Sequence, residues 1–212
     1  IMKKYVLING KIKKFKKKIT VSADKSLSIR WVLMAAQAVG KSIAYNLLNS
    51  DDVNNALNAV KKLGVKVIKK KNLCQINGVG LNGFSLKNNT IIDAGNSGTL
   101  ARLIIGVLAK SNKTIVLKGD KSLSKRDFSR VIKPLKKFGL SFKLSKNNLP
   151  LKFKGTNYLS PIKYEELKGS AQVKSCILFA ALNTPGKTII RCFPSRDHTE
   201  RLFKFLNLPI KI

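Results

Sequence analysis

The stretch DAGNSGTLAR, residues 93–102, decides how the rest of the chain is read. Two isoleucines, Ile91 and Ile92, precede it, and a nearly unbroken apolar run, residues 103–109, follows it. Small and hydroxyl residues between a β-branched pair and an apolar run mark a strand, a turn and a helix start. One such turn needs no explanation beyond helix capping. This chain has three: ADKSLSIR from Ala23, AGNSGTLAR from Ala94 and KGSAQVK from Lys168.

Around each turn the same grammar recurs, as expected of an internal repeat. A polar turn leads into an apolar helix, expected over residues 27–39, 100–109 and 173–182. A Gly-Lys or Asn-Lys turn and a β-branched strand follow: SIAYNLL, TIVLKG and TIIRCF. A second serine-containing turn opens an amphipathic helix, expected over residues 51–63, 127–138 and 198–206. Those helices end in KKLGV, KKFGL and KFLNL, so Gly64, Gly139 and Asn207 are C-cap residue types at the right places. Hairpins VKVIKK/LCQING and LSFKLS/LPLKFKG close the first two copies. The expected fold is α/β (α+β, with mixed sheets): a threefold repeat of a β-α-β-α-β-β unit. Helices that are apolar on every side are normally buried, so the three first helices form the centre. The units span about 19–85, 86–155 and 156–212, the last of them truncated, while residues 1–18 match no repeat. Both ends therefore read as belonging to something larger.

Composition narrows the function. The chain has 212 residues, is 44% hydrophobic and carries a net charge of +32, which suits a globular protein with a real core. It has no run of about 18 apolar residues and no apolar signal core, which points to a cytoplasmic protein with no membrane partner. Cys74, Cys176 and Cys192 form no Cys-x-x-Cys pair and are expected as reduced, structural thiols. One histidine, His198, leaves a zinc site poorly supplied. Lysines are spread along the chain, dense only at residues 11–18 and 69–71, and far outnumber arginines. No nucleic-acid-binding signature accompanies them. The charge is read as a lysine surface around another function rather than a nucleic-acid interface.

Three helix N-termini on one face would present unpaired N–H groups and partial positive charge, a setting for anions. Gly98 permits close backbone approach. Ser26, Thr99 and Ser170 add hydroxyls; Lys25, Arg30, Arg102 and Lys174 add charge; Arg126, Ser195 and Arg196 lie on the neighbouring turns. Asp51 and Asp52 read as helix-start residues, Asp197 and Glu200 as structural or binding residues, and Trp31 as core.

Six ordered stretches, DKSLSIR, LLNSDDV, DAGNSGTLAR, GDKSLSKR, GSAQVKSCILFAAL and SRDHTERL, resemble the 5-enolpyruvylshikimate-3-phosphate synthase family and cover nearly the whole chain from Ile19. That family has two similar domains, each a threefold repeat of this unit. The resemblance implies transfer of the enolpyruvyl group of phosphoenolpyruvate to the 5-hydroxyl of shikimate 3-phosphate, in aromatic amino-acid biosynthesis. No metal or organic cofactor takes part. Carried over by motif, Lys25, Ser26, Arg30, Ser170, Ala171, Gln172 and Ser195 would hold shikimate 3-phosphate. Asn96, Gly98 and Arg126 would hold phosphoenolpyruvate, with Lys25 and Gln172 near both ligands. The proton-handling groups are expected in a second domain absent from this sequence, to which residues 1–18 are expected to belong as an N-terminal strand segment, so no catalytic residue is assigned and the chain alone is expected to turn over poorly or not at all. Two departures bear on turn geometry: Ser22-Ala23 stands where the family has Pro-Gly, and Asp127 stands where proline follows the Arg126 position. Other readings stay open. One is a non-catalytic polyanion or nucleic-acid binder on the same scaffold. Another is UDP-N-acetylglucosamine enolpyruvyl transferase, which shares the fold and uses a loop cysteine; the repeat puts none of the three cysteines in such a loop.

Overall fold

A computed structural model describes residues 7, 9–11, 14, 16–143 and 147–212. Most of the expected N-terminal strand segment, residues 1–18, and the end of LSFKLS lie outside the described residues. The first unit contains α1 (Lys25–Gln37), β1 (Val39–Tyr45), α2 (Asp51–Lys62), β2 (Lys66–Lys69) and β3 (Leu73–Val79). The second contains β4 (Thr90–Asp93), α3 (Gly98–Val107), β5 (Thr114–Lys118), α4 (Ser129–Phe138), β6 (Ser141–Lys143) and β7 (Leu151–Lys154). The third contains β8 (Lys163–Glu166), α5 (Ala171–Ala181), β9 (Ile189–Cys192) and α6 (His198–Phe205).

Each unit has its own sheet: β1-β3-β2, β4-β5-β7-β6 and β8-β9. The opening strands pair in parallel, β4 with β5 and β8 with β9, whereas the hairpin strands pair antiparallel. Only the second unit shows the full expected order. The first shows no opening strand among the described residues: residues 16–24 form none, and Ile19 and Val21 are exposed. One edge of β1 consequently has no strand neighbour among the described residues, and neither does one edge of β9 in the third unit.

The amphipathic helices end as their capping residues predict. Gly64, Gly139 and Asn207 all adopt positive φ, at 85°, 107° and 52°. Helix α4 starts two residues later than expected, because Asp127 takes the Ser129 backbone N–H on Oδ1 and holds the preceding turn open. Helices α1, α3 and α5 form the centre of one continuous apolar cluster that also buries Phe128, Phe138, Phe153 and Phe179. Trp31, expected in the core, is only partly buried against its edge. All three thiols are free as expected; Cys74 and Cys176 are buried, whereas Cys192 is exposed and so has no evident packing role.

Glycines set how closely the layers approach. A Cβ on Gly106 of α3 would fall 2.2 Å from the Cys176 carbonyl oxygen of α5. Gly78 on β3 meets the Ala35 carbonyl at the same distance, and Gly155, just after β7, meets that of Ala109. The last two occupy corresponding places in successive units, against the C-terminal ends of α1 and α3. Overpacking of this kind costs typically 1–3 kcal/mol, and backbone atoms have little room to yield. Gly106→Ala should therefore destabilise the chain by about 3 kcal/mol, read as a lower urea midpoint at unchanged m-value.

Candidate anion site at the helix N-termini

The three first helices start with side-chain caps. Asp24 Oδ1 accepts the Leu27 N–H at 2.7 Å, Ser97 Oγ the Leu100 N–H at 3.3 Å and Ser170 Oγ the Val173 N–H at 3.4 Å. Polar ties bring these starts together. Gln172 Nε2 donates to Thr99 Oγ1 at 3.0 Å, joining α5 to α3. Arg30, 2% exposed, joins α1 to α5 and α6: its Nη2 donates to Ser175 Oγ at 2.9 Å and its Nε to Thr199 Oγ1 at 2.7 Å. Its Nη1 donates to the Ser26 carbonyl at 3.0 Å. Ser175 in turn donates to the Ala171 carbonyl at 2.6 Å, inside the first turn of α5. Burial, with Arg196 nearby, lowers the Arg30 pKa to about 10.

The cations divide into those engaged internally and those near the open turns. Lys25, at the start of α1, is half-exposed and pairs with Asp52 at 2.6 Å. Lys174 was expected to add charge to the site; instead it is buried and ion-paired with Glu200. Around the start of α3 stand Arg102, Arg126 and Arg130. Arg126 donates to Asn96 Oδ1 at 3.4 Å, and Asn96 Nδ2 donates to Asp120 Oδ2 at 2.6 Å. Arg102 lies 4.7 Å from the centroid of the Phe128 ring and donates to the Gly98 and Asp127 carbonyls. Burial lowers its pKa, and repulsion from Arg126 and Arg130 lowers it further. A Cβ on Gly98 would sit 2.8 Å from Arg102 Nη1 and 3.1 Å from Arg126 Nη1. Glycine there keeps the space before two guanidiniums open.

The remaining expected site residues lie at helix starts or in the turns before them. Ser26 and Ala171 contribute backbone at the starts of α1 and α5. Ser195, in the turn before α6, has a buried Oγ with no partner among the described residues. Glu200 Oε2 is likewise buried and unpartnered there. Thr99, Ser175, Thr199, Arg130 and Glu166 complete the network, and of these only Thr99 stands out in the turn motifs. Among the described residues no group of three His, Cys, Asp or Glu side chains is placed to hold a metal, and no helix is long and apolar enough to cross a membrane. Burial raises the Cys176 pKa to about 12, which keeps that thiol unreactive.

Glu166 is 4% exposed and ends β8. Burial pushes its pKa up, but the Ser170 N–H, Arg130 and the Lys168 N–H outweigh this and leave it below the ordinary carboxylate value. Such a group stabilises the fold above its unfolded pKa, and that contribution fades as pH falls through the folded one. The stability lost on acidification below about pH 4.5 should therefore be smaller in Glu166→Gln than in the unchanged chain. Urea midpoints measured from pH 6 down to pH 3 would show the difference.

Comparison with known proteins gives a consistent result. A sequence profile described as EPSP synthase (3-phosphoshikimate 1-carboxyvinyltransferase) matches residues 10–212. A 3-phosphoshikimate 1-carboxyvinyltransferase of Ruthia magnifica subsp. Calyptogena magnifica is 43% identical over 195 residues, 92% of this chain and 45% of that protein. One from Clostridium tetani is 41% identical over 206 residues, 97% of this chain and 47% of its own length. A solved EPSP synthase from Acinetobacter baumannii superposes with a TM-score of 0.87 at 36% identity, covering 93% of this chain and 45% of that one. The chain thus spans about half the length of the relatives it matches.

Proposed function

The chain belongs to the EPSP synthase family, and on that premise we propose that it supplies the shikimate-3-phosphate-binding half of an enolpyruvyl transferase. The observation that carries the reading is the junction of three capped helix N-termini through Arg30, Gln172 and Thr99. In this reading Lys25, Ser26, Arg30, Ser170, Ala171, Gln172 and Ser195 form the shikimate 3-phosphate pocket. Arg30 acts mainly from beneath, since three of its N–H groups are already engaged. Asn96, Gly98 and Arg126 receive phosphoenolpyruvate, in front of the guanidiniums at the start of α3.

The 5-hydroxyl of shikimate 3-phosphate adds to the vinyl carbon of phosphoenolpyruvate, and phosphate leaves from the tetrahedral intermediate. This half contributes positioning and charge stabilisation. The acid and base that move protons belong to a second domain, contributed by the rest of a longer chain or by a separate one. Residues 19–212 are the threefold-repeat domain and residues 1–18 belong with its partner. The free thiols at Cys74, Cys176 and Cys192 suit a cytoplasmic setting.

Calorimetric titration with shikimate 3-phosphate in moderate salt tests the reading. We expect saturable one-site binding. Lys25→Ala should weaken it about tenfold or more, as befits loss of a charge-assisted hydrogen bond. Arg126→Ala should stay within about threefold. A folded chain that binds duplex DNA with steep salt dependence, yet shows no preference for shikimate 3-phosphate, would replace this reading with a polyanion binder.

A further inference from the structure

Glu166 has no role in the ligand contacts proposed above, yet it joins two of the turns that form them. It is the last residue of β8, four positions before the α5 cap Ser170. Its Oε2 accepts the Ser170 backbone N–H at 2.6 Å, and its Oε1 accepts Arg130 Nη2 at 2.7 Å. Arg130 lies in the first turn of α4, close enough to Arg102 for the two charges to repel. A buried carboxylate therefore stands at the mouth of a helix whose free N–H groups favour an anion.

The position has a counterpart in the second unit. Asp93 also ends its strand four residues before the N-cap, here Ser97, and accepts the Gly95 N–H at 2.8 Å. A carboxylate at this offset shapes the loop in both units. Asp93, however, is exposed, and no salt bridge to it occurs among the described residues. Glu166 is buried and paired. A buried negative charge beside an anion site opposes the ligand unless a cation neutralises it.

We propose that Arg130 is a positioning residue for the anion site at the start of α5: it neutralises Glu166, so that the carboxylate braces the Ser170 turn without repelling the anion the turn receives. The proposal rests on the anion-binding reading of that turn. It also links the two halves of the site, because the same arginine is a charge neighbour of Arg102, whose guanidinium faces Gly98.

The test uses the 15N-labelled chain titrated with inorganic phosphate, following the backbone amides of Ser170, Ala171 and Gln172, with shikimate 3-phosphate titrated in parallel. Phosphate should shift these amides saturably. Arg130→Met should raise the phosphate Kd about tenfold or more, by leaving Glu166 unneutralised. Arg130→Met combined with Glu166→Gln should return it to within about threefold of the starting value. Arg130→Lys, which keeps the charge and guards against misfolding of the methionine variant, should also stay within about threefold. Unchanged binding in Arg130→Met overturns the proposal. So does a double variant as weak as the single one, a tenfold loss in Arg130→Lys, or an unmutated chain whose amides do not respond to phosphate. Phosphate binding at these amides without tighter binding of shikimate 3-phosphate would instead remove the substrate reading and leave the Arg130 result to be judged by itself.

Discussion

At Gly106 the backbone of α3 comes so close to the Cys176 carbonyl of α5 that no side chain fits between them, and the arrangement of the turns depends on that approach. This approach of the last turn of α3 to the middle of α5 holds the two helices together, and at their other ends Gln172 reaches Thr99. Gly78 and Gly155 repeat the device where strands meet the far ends of α1 and α3. The apolar residues drive the collapse, but they do not by themselves set its spacing. The glycines set it, and the helix starts that would face an anion are placed by contacts more than a helical turn away from them.

Much of this was legible because it is local. Gly64, Gly139 and Asn207 announced helix ends, and all three adopt the left-handed backbone that such ends use. The three polar turns announced helix starts, and in two of them Ser97 and Ser170 supply the cap. What stayed hidden depends on distant partners. Arg30 meets Ser175 and Thr199 across 145 and 169 residues, and nothing near Arg30 in the chain indicates that its guanidinium turns inward. Lys174 reads as a free cation until Glu200, from another helix, is seen beside it. The first unit's opening strand was expected by analogy with its siblings. Pattern could not say that Ile19 and Val21 would pair with no strand among the described residues.

The polar layer under the turns is costly to build. Burying guanidinium, ammonium and carboxylate groups is unfavourable unless each finds partners, and removing one partner strands another. The network answers this with hydroxyls: Ser175 and Thr199 take two Arg30 bonds, and Thr199 donates onward to Ser175 at 2.7 Å. The exceptions, Ser195 Oγ and Glu200 Oε2, are both contributed by the α6 side, where the layer is least satisfied.

The sheets have a mechanical consequence. Among the described residues no backbone ladder crosses from one unit to the next. Each sheet is a stiff plate. Between plates there is packing of helices and side chains, which resists compression better than sliding, with single hydrogen bonds such as the Ser160 N–H to the Phe138 carbonyl at 3.2 Å and a group of side-chain ties beneath the turns. An anion seated among the turns would add a bridge between plates at the end where the Arg30 and Gln172 ties already join them, so a bound ligand would act as one more fastening of the assembly.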